Sequence, residues 1–494
     1  MSLLSHDSYL FVVAHQDDES LYFGGLLLYL KKMGAKLTVL CITQPKEGRP
    51  DTNTRQASFE KACALVGAEC FTVGLVDYGP DGINSFIKNQ DWIGFAESAI
   101  HVMLERSNAT IIITHNFAGE GVATSTYKNG HAVHKAVAKA ASIFNVETYC
   151  DCVGLTNWEY DFDINVEEKK KMLDCYLPYW KPDAYPFWKE KEKYKKLPKA
   201  NWNNLKTISY YYPSQPGDFK FWEFGIGQDL PKALNPNCEF MQNKSDKFGT
   251  FYDPKEGEYD AAYIQLFTIP NKRPAKFLYT YISDYYPQWL IPWAEKVKPN
   301  LICFLQEIPA EFKQRADTLG IKCVLSPWFI TERKPYIEDK KNHGFCAGWI
   351  GPNYPKRRAI YEELRKNYPG VLLSCSDQYQ KYPLMGKDYE NALITSKYFF
   401  SGGIFDRLVP PKYYEACGAG TCLVCHKMPI MEELGFKNGY TYIELHDYKD
   451  IGVMLGNDDW KSISKNGHAM VNAQHHVSNR AKQIAWEYNE WSAK

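Results

Sequence analysis

The sequence predicts an α/β protein that contains parallel sheets covered by helices on both faces. Strand-like and helix-like stretches alternate along the chain, which is typical of βαβ units. The apolar run at 9–13 has the composition of a buried strand, and polar residues follow it directly. With 494 residues, the chain is also too long for one ordinary domain. We therefore expect several domains of related architecture.

The first part of the chain predicts one Rossmann-like domain. Its strands are expected at 9–13, 37–42, 70–73, 110–114 and 146–154, with helices at 21–32, 53–66, 92–105 and 135–141. A charged run at 189–196 then lies between Pro186 and Pro198, and its composition favours a solvated helix or a linker. We therefore expect the first domain to span residues 1–199.

The second part predicts two further Rossmann-like lobes, at 200–331 and 332–494. The first lobe has expected strands at 207–212, 259–267, 275–282, 300–306 and 322–325, and the second at 344–350, 370–375, 398–400 and 421–425. Helical stretches separate several of them. A last helix is expected at about 477–491.

Composition excludes some classes of function. The 58 Lys and Arg residues balance 58 Asp and Glu residues, so nothing indicates nucleic-acid binding. No apolar run reaches the length of about 18 residues needed to span a membrane, and the N-terminus lacks the features of a signal peptide. The 14 cysteines are scattered, which favours a reduced, cytoplasmic location.

Three polar residues at the end of the first strand suggest a metal site. In open α/β sheets, ligands bind at the carboxyl ends of the strands. His15 and Asp18 can hold a divalent metal such as zinc, and Asp17 can remain free as a base. The alternative is a solvated turn with an aspartate that caps a helix.

Two histidines after the fourth strand strengthen the metal prediction. His131 and His134 stand three residues apart at the start of a predicted helix and share one face. One of them would complete a set of two histidines and one carboxylate, which leaves a fourth position open for water, as catalytic zinc requires. The alternative is a pair of surface histidines.

With these motifs, residues of about 5–155 resemble the PIG-L/LmbE-like zinc N-deacetylases. The resemblance is carried by the A-H-Q-D-D-E segment at 14–19, by Gly24-Gly25 and by the His-x-x-His pair. It implies removal of acetyl groups from N-acetylglucosaminyl compounds, with His15, Asp18 and His134 as zinc ligands. It also implies that Asp17 is the general base. His131 would steady the oxyanion or protonate the leaving amine.

The sequence departs from the family pattern at two places. Gln16 replaces the usual proline, and Ala132-Val133 replaces the usual Pro-Asp. The acidic residue that would orient a neighbouring histidine is therefore missing, and such partners typically matter 10–100-fold. Either the activity is weakened or another residue takes this role, with His115, Asn116 and Glu120 as candidates.

A second motif lies at 389–425, in the last lobe. A helix that begins near Pro411 can receive phosphate oxygens, small residues at Gly402 and Gly403 allow close backbone approach, and Glu415 can accept hydrogen bonds from a ribose. The alternative is an ordinary βαβ unit with a glycine-rich helix end.

This stretch resembles the donor-binding lobe of GT-B glycosyltransferases of the CgeB-like type. The resemblance implies a nucleotide sugar, such as a UDP-sugar, as donor substrate. Glu415 would hold the ribose and Lys412 the diphosphate. Gly402 and Gly403 would lie beside the donor, and Arg357 or Arg358, of which we favour Arg358, would add a phosphate contact. The chain departs from the family at Arg407, where many members have a glutamate.

Three hypotheses follow. In the first, the chain is bifunctional and combines zinc-dependent N-deacetylation of an N-acetylhexosamine glycoconjugate with glycosyl transfer. In the second, only the deacetylase works and the C-terminal half is a carbohydrate or nucleotide-sugar binding scaffold. In the third, the chain is an interaction protein with inactive sites. The intact set of His15, Asp18 and His134 argues against this third hypothesis.

Overall fold

The computed structural model describes most of the chain, in two compact units. The described residues are 3–4, 6–44, 52–77, 86–117, 131–144, 146–153, 158–177, 191–197, 204–211, 225–242, 251–252, 259–264, 269–270, 272–282, 287–352, 354–377, 383–384, 386–402, 409–456 and 459–492. Unit 1 consists of Met1–Lys199 and Asn489–Lys494, and unit 2 of Ala200–Tyr488. Among the described residues, every helix is too short or too polar to cross a membrane.

Unit 1 contains a seven-stranded sheet in the order β3-β2-β1-β4-β5-β7-β6. The strands are β1 Ser8–Val13, β2 Lys36–Gln44, β3 Glu69–Val76, β4 Ile111–Thr114, β5 Glu147–Asp151, β6 Tyr160–Phe162 and β7 Glu192–Lys196. The helices are α1 Asp18–Leu21, α2 Gly24–Lys32, α3 Thr52–Val66, α4 Phe86–Ser107, α5 Ala132–Ala141 and α6 Val166–Leu173. Strands β1 to β5 are parallel, as the sequence predicts.

The strand order places the loops after β1 and β4 side by side. β1 pairs with β2 on one side and with β4 on the other, with Val12 opposite Thr114. The chain therefore reverses its winding direction between β1 and β4, and such a switch point forms a crevice at the carboxyl ends of the strands. The residues that follow these two strands share that crevice.

The prediction of a solvated helix or linker at 189–196 is wrong for residues 192–196, which form β7. Glu192 and Tyr194 are buried, and β7 pairs in antiparallel orientation with β5 and β6. The Glu192 carboxylate accepts hydrogen bonds from the backbone amides of Gly25 (2.7 Å) and Leu26 (2.8 Å) and from Lys169 Nζ (2.6 Å). The buried ion pair of Glu192 with Lys169 thus explains how a strand can contain these charged residues. The same charges explain why the sequence pattern did not indicate a strand.

The helix predicted at 21–32 begins only at Gly24, and the separate short helix α1 ends at Leu21, with a break at Tyr22 and Phe23. The Tyr194 hydroxyl donates a hydrogen bond to the Tyr22 carbonyl at 3.1 Å. At Gly25 an added Cβ would lie 2.3 Å from Ile164 Cγ2, so only glycine allows this approach. Because of this break, α1 is a separate short helix, and it carries the polar residues that follow β1.

Unit 2 contains two larger parallel sheets and one small two-stranded sheet, β10 with β12. The larger sheets have the orders β15-β14-β13-β11-β8-β9 and β17-β16-β18-β19-β20. Their strands are β8 Thr207–Tyr211, β9 Glu239–Gln242, β10 Phe251–Tyr252, β11 Tyr259–Ile264, β12 Ile269–Pro270, β13 Ala275–Ile282, β14 Leu301–Phe304, β15 Lys322–Leu325, β16 Asn342–Trp349, β17 Val371–Ser376, β18 Ser396–Ser401, β19 Cys422–Cys425 and β20 Ile443–Glu444. Counted within each sheet, the first has the order 2-1-3-4-5-6 and the second the order 2-1-3-4-5, so both are doubly wound.

The helices of unit 2 cover these sheets. They are α7 Leu230–Leu234, α8 Pro287–Val297, α9 Ala310–Thr318, α10 Pro355–Asn367, α11 Gly386–Thr395, α12 Pro411–Gly418, α13 Ile451–Leu455, α14 Trp460–Gln474 and α15 Val477–Ser492. Although α15 follows the second large sheet in the chain, it packs on the first. Gln483 Nε2 donates to the carbonyl of Leu325 at 2.9 Å, and Tyr488 meets the Phe277 ring edge-on.

Candidate functional site

Three side chains of unit 1, two from the segment after β1 and one from the first turn of α5, converge on one point. His15 Nδ1 lies 3.1 Å from His134 Nε2 and 3.4 Å from Asp18 Oδ2, and His134 Nε2 lies 3.4 Å from Asp18 Oδ2. A tetrahedral metal with bonds of about 2.0–2.1 Å places its ligand atoms about 3.3–3.4 Å apart. The triangle of these three atoms therefore has the dimensions of one face of a zinc site.

Local structure fixes the loop that carries two of these groups. The backbone amide of His15 donates to Asp18 Oδ2 at 2.7 Å, so the carboxylate is held against its own loop. Thr43, at the end of β2, donates to the Ala14 carbonyl from both its amide (3.0 Å) and its hydroxyl (2.7 Å). His134 comes from the first turn of α5. The sheet edge and one helix start thus bring the groups together.

His131 stands at the N-cap of α5, beside the convergent groups. Its ring centroid lies 4.8 Å from that of His15 and 4.6 Å from that of His134. Burial, with the nearby charge of His15, lowers the pKa of His131 to about 4. The ring is therefore neutral at neutral pH and can donate one N–H.

Asp17 lies next to the convergent set and is held by an arginine of α3. Arg55 Nη2 donates to Asp17 Oδ2 at 2.6 Å. Burial raises the pKa of Asp17 although the guanidinium opposes this. The sequence offered no signal for this partner beyond the position of Arg55 on the helix after β2.

Two further carboxylates face the histidines, and the sequence did not single out either of them. Asp77, directly after β3, has Oδ2 3.5 Å from His15 Nε2. Asp151, at the end of β5, has Oδ2 3.7 Å from His115 Nδ1. Both lie at the carboxyl ends of strands on the same sheet edge, which is the one signal that could have indicated them. Of the earlier candidates for this role, Glu120 lies outside the described residues.

The electrostatic field at the site favours positive charge. Burial alone would lower the pKa of His15, but Asp18 and Asp77 outweigh it and raise that pKa to about 10. Likewise, Asp18 and Asp151 raise the pKa of His115 to about 9 against the effect of burial. Despite burial, the surrounding histidines hold the pKa of Asp18 well below its usual range. A divalent cation would supply the charge that these carboxylates attract.

Two other groups of three possible ligands overlap with this set among the described residues. They are His15 with His131 and His134, and Asp18 with His115 and His134. Both ring nitrogens of His115 already face carboxylates, with Nε2 3.2 Å from Asp18 Oδ2 and Nδ1 3.7 Å from Asp151 Oδ2. We therefore favour the triangle of His15, Asp18 and His134, with edges of 3.1–3.4 Å, as the ligand set.

In unit 2, a cavity that is open to solvent contains one of the residues expected to bind a nucleotide sugar. Glu415 lines it, and its Oε2 accepts a hydrogen bond from the Tyr389 hydroxyl at 2.7 Å. Charged and aromatic side chains contribute to the wall, among them Trp328, Glu332, Lys334 and Glu390. The cavity can therefore offer both hydrogen-bond acceptors and a flat apolar surface.

The other four expected donor-site residues have different positions. Lys412 Nζ lies 4.8 Å from the centre of the Tyr389 ring, and Gly403 lies outside the described residues. At Gly402 an added Cβ would lie 2.6 Å from the backbone nitrogen of Arg357. Arg358 is exposed, and its Nε donates to a backbone carbonyl at 2.8 Å.

Arg357, rather than Arg358, is the arginine beside Gly402. Its side chain is 3% exposed, and it donates to the carbonyls of Trp349 (3.0 Å) and Gly402 (3.2 Å). An added Cβ at Gly348 would lie 2.9 Å from Arg357 Nη1 and 3.4 Å from Lys412 Cε, so these two cationic side chains are neighbours.

Unit 1 is an α/β domain with a cluster of histidine and aspartate side chains at the carboxyl ends of its strands, and the dimensions of this cluster fit a metal ion. Residues 10–144 match the PIG-L family, described as GlcNAc-PI de-N-acetylase. The prediction of a domain of this type in the first part of the chain is confirmed. No curated protein matches the chain.

The chain is also similar to several solved structures. The N,N'-diacetylchitobiose deacetylase from Pyrococcus horikoshii shares 15% identity over 39% of this chain and 85% of that chain, with a TM-score of 0.31. The 4-carboxy-2-hydroxymuconate hydratase GalB from Pseudomonas putida KT2440 shares 13% identity over 39% and 96%, with a TM-score of 0.30. The zinc-inhibited form of teicoplanin deacetylase Orf2 shares 16% over 34% and 83%, with a TM-score of 0.28.

Proposed function

We propose that unit 1 is a metal-dependent deacetylase that acts on an N-acetylhexosamine glycoconjugate of the N-acetylglucosamine type. The observation that carries the proposal is the triangle of His15, Asp18 and His134 atoms, with edges of 3.1–3.4 Å. The PIG-L match over residues 10–144 supports it. The metal is zinc or another divalent ion.

The roles of the residues follow from their positions. His15, Asp18 and His134 hold the metal, which when bound lowers the pKa of water and polarises the amide carbonyl. Asp17 takes the proton from the attacking water on Oδ1, because Arg55 holds Oδ2. His131, as a neutral ring beside His15 and His134, donates its N–H to the oxygen that gains charge.

The leaving nitrogen needs a proton, because an amine leaves far more readily than its anion. In our proposal Asp17 delivers to this nitrogen the proton that it took from water. The C–N bond breaks, and the products are acetate and a free amino sugar. One carboxylate thus acts first as a base and then as an acid.

For unit 2 we propose glycosyl transfer from a nucleotide sugar such as a UDP-sugar. The cavity lined by Glu415 supports this, together with two parallel sheets and the return of α15 to the first of them. Glu415 holds the ribose, and Lys412 with the neighbouring Arg357 faces the diphosphate beside Gly402. The alternative for unit 2 is a carbohydrate or nucleotide-sugar binding scaffold without catalysis.

The two proposed activities suit consecutive steps on one glycoconjugate. One unit attaches an N-acetylhexosamine and the other removes its acetyl group, and fusion raises the effective concentration of the intermediate. Every cysteine of the chain is free, which supports work in a reducing, cytoplasmic compartment.

One comparison of variants tests both proposals. Acetate release from N-acetylglucosamine compounds is measured beside UDP-sugar binding and turnover, in the wild-type chain, Asp17→Ala and Glu415→Ala. We expect acetate release to vanish in Asp17→Ala and to persist in Glu415→Ala, while UDP-sugar binding shows the opposite pattern. A wild-type chain that releases acetate but neither binds nor turns over any nucleotide sugar would leave the deacetylase-only alternative.

A further inference from the structure

His115 lies against two of the three proposed metal ligands. It follows β4 directly and is 1% exposed. Its ring stacks on that of His134, with centroids 3.9 Å apart and planes inclined by 17°, and its Nε2 lies 3.2 Å from Asp18 Oδ2. A single side chain therefore restrains two ligands that come from separate segments of the chain.

The ring of His115 is itself fixed on several sides. The Tyr22 ring meets it edge-on at 5.3 Å, and the Phe23 ring lies at 5.6 Å. The backbone amide of Ala14 approaches Nε2 at 3.2 Å. Because its neighbours leave the ring little freedom to turn, His115 can transmit a fixed orientation to Asp18 and His134.

A second buried carboxylate, that of Asp151, lies beside the His115 ring on the side of Nδ1. Asp151 is 3% exposed and accepts hydrogen bonds from Asn116 Nδ2 (2.9 Å), from the Asn116 amide (3.2 Å) and from the Val153 amide (3.1 Å). Three donors immobilise the carboxylate, and its Oδ2 faces His115 Nδ1 at 3.7 Å. Asp151 is thus placed to set the orientation of His115.

We infer that Asp151 and His115 form a positioning pair that holds Asp18 and His134 in metal-binding geometry. The pair takes the orienting role for which the sequence segment Ala132-Val133 offers no acidic residue. This inference rests on the proposed metal centre but not on the identity of the substrate. Partners of this kind typically change metal affinity 10–100-fold.

The test is the Zn²⁺ affinity of the full chain, measured by competition with a chromophoric chelator and independent of any reaction. His115→Phe keeps a ring that can stack on His134 but removes both nitrogens, and Asp151→Asn keeps the shape of the carboxylate but removes its charge. We expect each to raise the Zn²⁺ Kd at least tenfold.

Two further variants separate positioning from general damage. Thr114→Val alters the buried end of β4 next to His115, where the Thr114 hydroxyl donates to the Val12 carbonyl at 2.9 Å, and we expect an unchanged Kd. His115→Gln retains an amide that can reach the position of Nε2, and we expect it to recover part of the affinity lost in His115→Phe.

Several results would overturn the inference. If His115→Phe and Asp151→Asn both bind zinc within twofold of the wild type, the pair only fills space. A loss in His115→Phe alone removes Asp151 from the pair, and an equal loss in Thr114→Val reveals general damage. A wild-type chain that binds no zinc defeats both this inference and the proposed function, whereas zinc binding without acetate release defeats only the proposed function.

Discussion

Arg55 Nη2 donates to Asp17 Oδ2 at 2.6 Å, which ties the proposed base to helix α3. The base therefore does not depend on its own loop alone for its orientation. Hydrogen bonds to a charged group contribute about 1.5–3 kcal/mol, so this contact is strong enough to fix one carboxylate oxygen and direct the other.

Loss of this contact should slow catalysis without removing the metal. We expect Arg55→Met to lower kcat for acetate release about 10–100-fold, the equivalent of 1.5–3 kcal/mol, because Asp17 loses its orientation. The measurement is kcat beside metal content. Lys61→Met, an exposed change on the same helix, serves as the control. An unchanged kcat in Arg55→Met would show that the ion pair has no part in catalysis.

The buried pair of Glu192 and Lys169 should be a major contributor to the stability of unit 1. We expect Glu192→Ala to lower the free energy of unfolding by about 3–5 kcal/mol, because Lys169 and two backbone amides lose their buried partner. Chemical denaturation measures it. Lys191→Ala, whose ion pair with Asp163 is exposed, should change stability by less than about 0.5 kcal/mol. Equal effects of the two changes would contradict the account.

The sequence predicts most of the strands and the convergence of the ligand set, because both depend on local patterns. Apolar runs identify β1 and β4, and polar residues directly after them must meet at one sheet edge. Strand β7 was missed because its inward-facing positions include Glu192, whose charge conceals the alternation that Tyr194 would otherwise indicate.

Long-range partners could not be predicted in the same way. Asp77 and Asp151 are isolated aspartates in the sequence, and only the strand order brings them opposite His15 and His115. Arg357 and Arg358 are adjacent, so nothing in their sequence decides which one is buried; the rotation of α10 against Gly402 decides it.

The contact of His475 with Arg480 should make unit 2 less stable in acid. Arg480 Nη2 donates to His475 Nδ1 at 2.7 Å, while the Tyr414 ring packs edge-on. Burial, followed by the charge of Arg480, lowers the pKa of His475 well below its usual value. The unfolded chain therefore binds a proton that the folded chain does not, and stability falls as the pH drops below about 6.5.

The size of this effect can be measured by difference. We expect about 1.4 kcal/mol of lost stability per pH unit below 6.5, until the pH reaches the pKa of the folded state. Urea denaturation at pH 7.5, 6.5 and 5.5 is compared between the wild type and His475→Gln, in which this dependence is absent. Parallel pH profiles of the two chains would show that His475 does not contribute.

Lys412 should matter for nucleotide-sugar binding but not for deacetylation. Burial lowers the pKa of Lys412 although Glu415 opposes this, so its ammonium is poorly solvated and should gain from a diphosphate. We expect Lys412→Met to weaken UDP-sugar binding at least tenfold and to leave acetate release unchanged. Lys427→Met, at an exposed ion pair of the same lobe, is the control. Calorimetric titration that gives equal affinities for both variants would exclude Lys412 from the site.

Anomalous diffraction at the zinc absorption edge, from crystals of the zinc-loaded chain, tests the central proposal most directly. We predict one peak about 2.0–2.2 Å from each of three atoms, His15 Nδ1, Asp18 Oδ2 and His134 Nε2. A peak bound by other residues, or none at these three atoms in crystals that contain zinc, would contradict the account.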